Sequence, residues 1–210
     1  HRYYADFSVA MPYSTKLPEG KRIAYSPTVT LGWNLAKESF MENSIFDDLM
    51  LAGSAGIITQ DLDITASDNE DGYYLYKAVI QSGGWYSWGD NGGLAATEFQ
   101  RGNNPDMTYV KRKELTAGLR GSMWDKLISF DVNFFTSKMD GGLVRTNSLY
   151  PNYFTQTGYP SSSIIPYVNF NVDQRTGFDF SVYTNKKVGE VELTLGVSGM
   201  YYKSTAKKRD

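Results

Sequence analysis

The chain has 210 residues with a net charge of −2, no cysteine and a single histidine, His1. These totals exclude disulfides, thiolate metal sites, a cysteine nucleophile and any triad or metal site built on internal histidines. The near-neutral charge gives no reason to expect a nucleic-acid partner. No apolar run approaches the roughly 20 residues of a membrane-spanning helix.

Alternation of apolar and polar residues predicts seven β-strands. It is clearest at residues 29–35, 113–120, 128–134 and 191–198. Successive strand residues face opposite sides, so each segment has one apolar and one polar face. Most predicted strands have about 9–12 residues, near the length of a tilted membrane strand and longer than the usual soluble strand. In chain order they span residues 3–11, 25–36, 49–57, 111–122, 127–137, 176–184 and 190–202.

The connections between these strands differ in length. Residues 123–126 and 185–189 form short turns, whereas about 50 residues separate strands three and four and about 38 separate strands five and six. Short periplasmic turns opposite long extracellular loops are typical of outer-membrane barrels. The medium connection, residues 37–48, falls on the short-turn side, and Phe40, Met41 and Phe46 could line one side of a short helix there.

Two fold classes fit this pattern: a soluble β-sandwich, which also alternates, and a membrane barrel. The predicted polar faces carry small and charged side chains such as Thr116, Arg120 and Asp131, which suit a lumen. Aromatic residues occur near strand ends, as in the girdles of membrane barrels. The sequence favours an all-β, membrane-spanning antiparallel β-barrel whose apolar face meets lipid. The aromatic residues near strand ends are Tyr3, Tyr4, Tyr25, Trp124, Tyr183, Tyr201 and Tyr202.

Several stretches, in order along the chain, resemble motifs of the SusC/RagA-type TonB-dependent outer-membrane transporters. The first resembles that family's P-S-x-x-x-G-W strand and E-x-F-M turn, and a later one its N-R-L strand followed by Y-Y-x-K-x-x-D-x-L. Each match is weak alone, but the ordered set is fairly specific. The matching stretches are residues 25–35 with 38–41, 49–56, 104–109 with 113–119, 124–143, and 175–181.

This resemblance implies transport and no enzyme activity or cofactor. Such proteins are barrels of about 22 strands around a plug. They sit in the outer membrane of Gram-negative bacteria and import oligosaccharides, other glycans or peptides with a SusD-like lipoprotein and the TonB complex. Residues 1–210 would then be about seven strands of the barrel domain with long extracellular loops, and the plug and remaining strands would lie outside this segment. The alternative function is a secreted or surface β-sandwich that binds carbohydrate.

The best candidate for substrate binding is the predicted loop that contains Trp85, Tyr86, Trp88, Asp90 and Asn91. Aromatic rings can stack on sugar faces while the carboxylate and amide bond hydroxyl groups. The same rings could instead pack the loop onto the barrel rim. A second aromatic loop contains Tyr150, Tyr153, Phe154 and Tyr159 and makes a weaker candidate.

An acidic stretch at residues 61–72 could supply oxygen ligands to Ca²⁺. Its spacing does not match an EF-hand loop, so a solvated loop is the favoured interpretation and no metal site is predicted. Paired carboxylates could in principle hydrolyse glycosides, but no feature of the sequence predicts a catalytic cleft there.

Overall fold

The computed structural model describes residues 1–61, 64, 73–89, 91–145, 155–156 and 162–209. The strands are β1 Tyr3–Ala10, β2 Ser26–Asn34, β3 Phe46–Gln60, β4 Val79–Trp88, β5 Asn91–Arg101, β6 Val110–Met123, β7 Ile128–Val144, β8 Thr155–Gln156, β9 Ser162–Ser163, β10 Val168–Val188 and β11 Val191–Lys208. Two 3₁₀ turns, Leu35–Lys37 and Ser39–Met41, lie between β2 and β3. Among the described residues there is no helix that is long and apolar enough to span a bilayer.

Seven of these strands form one antiparallel sheet in the order β1-β2-β3-β6-β7-β10-β11. The predicted all-β antiparallel fold with seven strands is confirmed. Several strands are longer than the prediction. Pairing continues into a polar segment after Tyr202 in β11, and β10 begins with an alternating segment, residues 168–172, that the prediction did not use. For example, β10 has 21 residues and β11 has 18.

One face of the sheet is apolar across all seven strands. Residues directly opposite each other in neighbouring strands face the same side. The register therefore joins Leu51 to Leu119, Leu119 to Val132 and Val132 to Phe180 in one row. Large side chains on this face are exposed, as shown by Leu115 at 56%. Others on this face are Phe7, Leu31, Phe134, Phe178, Val182, Leu195 and Val197.

No second layer covers these apolar side chains in the part of the chain that the structure describes, since they remain exposed. A β-sandwich buries the inner face of each sheet against the other. The structure therefore does not support the β-sandwich alternative.

The two ends of the sheet differ in their connections. At one end, β6 and β7 are joined by a tight turn in which Trp124, Asp125 and Lys126 all have φ between 55° and 61°. The Lys126 amide donates to Asp47 Oδ2 at 2.8 Å, and the Trp124 amide donates to the Ile45 carbonyl at 3.3 Å. These bonds hold a backbone conformation that side chains other than glycine rarely adopt.

The predicted helix in residues 37–48 is wrong in part. Two separate 3₁₀ turns take the place of one helix, and Phe46 lies in β3 instead of beside Phe40 and Met41. The Phe46 ring packs edge-on against Phe130 at 6.2 Å between centroids. Pairing with β6 begins at Phe46, which draws this residue into the sheet.

At the opposite end the long connections form a small hydrophobic core. Its buried members are Leu17, Ile64, Leu75, Met107 and Tyr109. They come from the connections that follow β1, β3 and β5, so this core joins the long segments to one another above the sheet. We call this end of the molecule the rim.

Candidate functional site

The polar face of the sheet carries a hydrogen-bonded cluster on β7 and β10. The Asn133 amide donates to Asp131 Oδ1 and, at 2.9 Å, to Asp179 Oδ1. Strand register places Gly118 of β6 opposite Asn133. A Cβ at Gly118 would overlap Asn133 Oδ1, so glycine leaves the room that this amide occupies.

The cluster borders a polar hollow of about 320 Å³ that reaches back to β2. Arg120 lies opposite Asp131 in the register, and one of its terminal nitrogens lies 3.1 Å from Met50 Sδ. The Ser54 and Thr116 hydroxyls share a hydrogen bond in the floor of the hollow. A guanidinium, carboxylates, an amide and hydroxyls side by side can exchange hydrogen bonds with a polar solute such as a sugar or a peptide bond.

At the rim, Tyr109 fastens the connection between β1 and β2. Tyr109 is 4% exposed, and its hydroxyl donates its one proton to the Arg22 carbonyl at 2.7 Å, with the Pro12 carbonyl 3.3 Å away. Burial, followed by the nearby charge of Asp61, raises the pKa of Tyr109 above its ordinary value. The phenol therefore stays protonated and able to donate at neutral pH.

Asn169, near the start of β10, ties β7 to the segment that precedes β6. Its side-chain amide donates to the Gly141 carbonyl at 2.8 Å and the Thr108 carbonyl at 3.0 Å. Its side-chain oxygen accepts from the Thr108 amide at 2.9 Å. These three hydrogen bonds hold the segment that precedes β6 against β7 and β10. The long connections of the rim therefore rest on a fixed base.

The surface of the rim combines exposed aromatic rings with cations. Tyr73 is 61% exposed and Tyr74 is 44% exposed, and Tyr74 has a φ of 62°. Lys77 Nζ lies 4.9 Å from the centre of the Tyr74 ring, and Lys16 Nζ lies 5.9 Å from that of Tyr73. Such pairs are cation–π contacts. Sequence reasoning missed these residues, although three tyrosines within residues 73–76 were a visible signal.

The predicted substrate-binding residues lie on a hairpin instead of an irregular loop. Trp85, Tyr86 and Trp88 are in β4, and Asn91 is the first residue of β5. Asp90 lies outside the described residues. Register pairs Trp88 with Asn91 across a turn in which Gly89 has a φ of 61°. A Gly-Asp-Asn-Gly sequence at 89–92 is a hairpin signal that the sequence interpretation did not use.

The other two sequence candidates fall mainly outside the described residues. Of the acidic stretch at 61–72, Asp61 and Ile64 are described, and Asp61 Oδ2 accepts from the Ser14 hydroxyl at 2.7 Å. Among the described residues no group of three or more metal-ligating side chains occurs. Tyr150, Tyr153, Phe154 and Tyr159 lie outside the described residues.

Comparison with solved structures decides the fold. The chain matches "Structure of the RagAB peptide transporter" with a TM-score of 0.73 and 19% identity over 99% of its length. It also matches the RagAB peptide importer in its "closed-closed" state (TM-score 0.73, 20% identity) and in its "open-open" state (TM-score 0.75, 20% identity), each over 99% of its length. The sheet has the fold of the matching segment of those chains.

The chain spans about a fifth of the RagAB transporter chains that it matches, 20–21% of their length. No family model and no curated protein matches it. The predicted resemblance to the SusC/RagA type is therefore confirmed at the level of the fold. The two faces of the sheet are those of a barrel segment.

Proposed function

We propose that this chain is part of an outer-membrane importer, with its apolar face against lipid and its polar face lining the path of the solute. The observation that carries the proposal is the register. It places most of the large apolar side chains on one face and Arg120, Asp131, Asn133 and Asp179 on the other. Lipid-facing and lumen-facing residues alternate in this way in transmembrane barrels.

Cysteine labelling tests the assignment of the two faces, because residues 1–210 contain no cysteine and the unsubstituted full-length protein gives the background labelling. Neighbouring residues on one strand provide matched pairs: Val197→Cys with Ser198→Cys in β11, and Leu115→Cys with Glu114→Cys in β6. In the full-length protein in intact membranes, a charged maleimide should label the polar-face member of each pair and spare the apolar-face member.

Equal labelling of both members of each pair would contradict the orientation. Recovery of the full-length protein in the aqueous phase, monodisperse without detergent, would contradict the membrane assignment itself. Denatured samples, in which all four cysteines should react, provide the control for intrinsic reactivity.

We further propose that the solute is a peptide, with a glycan as the second candidate. The matched solved structures are described as a peptide transporter and importer, which supports the first. The aromatic residues Trp85, Tyr86 and Trp88 on β4, which could stack on sugars, support the second. The proposed partners are a SusD-like lipoprotein at the rim and the TonB complex, and the proposed location is the outer membrane of a Gram-negative bacterium.

Uptake by cells that carry the full-length gene tests this part of the proposal. Labelled peptides and labelled oligosaccharides should be compared in wild type, in Trp85→Ala/Trp88→Ala and in the hairpin control Leu94→Ala. We expect the double variant to lose at least several-fold in uptake of one solute class and the control to retain it. Unchanged uptake of both classes would remove Trp85 and Trp88 from the substrate site.

A further inference from the structure

The apolar face of the sheet, opposite the polar hollow, is uneven. Across β1, β2, β3 and β6 the face has a depression of about 740 Å³. Its floor is low because Ala5, Gly53 and Ala117 lie in one row of the register, with Leu31 the only large side chain among them. The surface of this depression is almost entirely apolar, so it suits an acyl chain.

One end of the depression carries charge and hydrogen-bonding groups. The Tyr3 and Trp33 rings stack at 6.2 Å between centroids and form the wall there. The Tyr3 hydroxyl donates to Glu38 Oε1 at 3.0 Å, and Trp33 Nε1 donates to the same oxygen at 3.1 Å. Both aromatic side chains therefore point their polar ends toward one carboxylate.

The Glu38 carboxylate faces a cation as well. Arg2 lies with one guanidinium nitrogen 3.6 Å from Glu38 Oε2, and the Arg2 side chain is 59% exposed whereas that of Glu38 is 13% exposed. Hydrogen bonds from Trp33 and Tyr3 lower the pKa of Glu38, so the carboxylate is charged at neutral pH. An exposed cation and a fixed anion thus lie together where the apolar depression ends.

We propose that this depression binds one phospholipid with a phosphoethanolamine headgroup, and this site rests on the proposed membrane orientation. An acyl chain lies over Ala5, Gly53 and Ala117, the phosphate meets Arg2 and the ammonium meets Glu38. The charged end is at the short-turn end of the sheet, beside the 3₁₀ turns. That end faces the periplasm in barrels, so the lipid comes from the inner leaflet.

Native mass spectrometry of the full-length protein tests the site. The protein is reconstituted in nanodiscs with equal amounts of phosphatidylethanolamine and phosphatidylglycerol and released into mild detergent. Gly53→Leu/Ala117→Leu fills the depression, and a Cβ at Gly53 meets nothing closer than the Thr116 carbonyl at 3.4 Å. Val197→Phe adds bulk to the same face on β11 and is the control.

We expect one tightly bound phosphatidylethanolamine on wild type and on Val197→Phe, with roughly tenfold lower occupancy in the filled variant because its acyl-chain contacts are lost. Glu38→Gln keeps an acceptor for Tyr3 and Trp33 but removes the charge, so its lipid should lose the preference for ethanolamine over glycerol. If the filled variant does not fold, Glu38→Gln alone tests the site.

The outcomes separate the two proposals. A membrane-embedded, transport-active protein with the same bound lipids in wild type, the filled variant and Glu38→Gln overturns the lipid site and leaves the importer standing. A full-length protein that stays in the aqueous phase without detergent overturns both.

Discussion

Tyr109 is the residue on which the connection between β1 and β2 depends most. It is buried in the rim core, and its hydroxyl lies within hydrogen-bonding distance of two carbonyls of that connection, those of Pro12 and Arg22. Each carbonyl also accepts from a backbone amide within the connection, that of Arg22 from Ser14 at 2.9 Å and that of Pro12 from Ala24 at 3.2 Å. The Tyr109 hydroxyl therefore adds a bond that ties residues 12–24 to the sheet.

Removing that hydroxyl should loosen the connection without disturbing the sheet. We expect Tyr109→Phe to reduce local stability by about 0.5–1.5 kcal/mol, because one hydroxyl hydrogen bond is lost while the ring stays in place. Hydrogen exchange of the full-length protein should become faster in residues 12–24 and stay unchanged in β10. Tyr25→Phe is the control, since Tyr25 is 63% exposed. Equal acceleration in both variants would contradict the role of Tyr109.

Glu38 makes the stability of the short-turn end depend on pH. Its folded-state pKa is below the ordinary 4.5 because Trp33 and Tyr3 donate to the carboxylate. Its stabilising effect is therefore complete above pH 4.5 and disappears as the pH falls through the lowered folded-state pKa.

The difference in melting temperature between wild type and Glu38→Gln should accordingly be greatest at neutral pH. It should shrink as the pH falls below about 4.5. Thermal unfolding of both proteins in detergent over a pH series measures this difference. A difference that does not change with pH would show that the carboxylate charge has no part in holding Tyr3 and Trp33.

At the scale of the strands, the polar cluster on β7 and β10 depends on a glycine of β6. Gly118 lies beneath the Asn133 amide, which holds Asp131 and Asp179. We expect Gly118→Ala to displace this amide and lower the unfolding free energy by about 1–3 kcal/mol, since two hydrogen bonds to carboxylates are lost. Gly53→Ala, for which there is room, is the matched control.

The temperature at which the full-length protein loses its folded form in detergent on gel electrophoresis measures this effect. A fall in Gly118→Ala without a fall in Gly53→Ala is the expected result. Equal falls in the two variants would assign the loss to replacing any strand glycine instead of to the Asn133 amide.

The turn between β6 and β7 contains three successive residues with positive φ, of which Asp125 is the middle one. Glycine adopts this conformation without strain, whereas alanine does not. We expect Asp125→Gly to be more stable than Asp125→Ala by about 1 kcal/mol. The same pair at Asp6, in β1, should show the reverse order. Thermal unfolding compares the four variants.

Alternation located the seven strands of the main sheet because each of them must present one apolar face. It failed where that requirement ends. The strand β11 continues to Lys208, six residues past the predicted end, since the polar segment that follows Tyr202 pairs with β10 without an apolar stripe. The β4–β5 hairpin was missed for the same reason, and only its Gly89 turn could have revealed it. The polar hollow was equally hidden, because it combines residues of four strands, β2, β3, β6 and β7, through long-range register.

At the scale of the whole molecule, the sheet is open and has one apolar and one polar face. Within the described residues β1 pairs with β2 alone and β11 with β10 alone, so both edges present free backbone groups. Unprotected edges and an exposed apolar face favour aggregation in water.

We therefore expect the isolated 210-residue chain to aggregate in water and to remain dispersed only in detergent. Light scattering and gel filtration with and without detergent measure this. A monodisperse chain with a native β-sheet spectrum in detergent-free buffer would contradict the lipid-facing assignment of Leu31, Leu115 and Leu195.

The ladder between β10 and β11 has a mechanical consequence. It runs from Val172 to Val188 with one irregularity at its rim end. A force directed along the strands loads such a ladder in shear, so many hydrogen bonds share the load at once. A force across the strands would instead open them one after another. In the proposed importer, a wall built this way would yield least along its strands and most easily around the circumference.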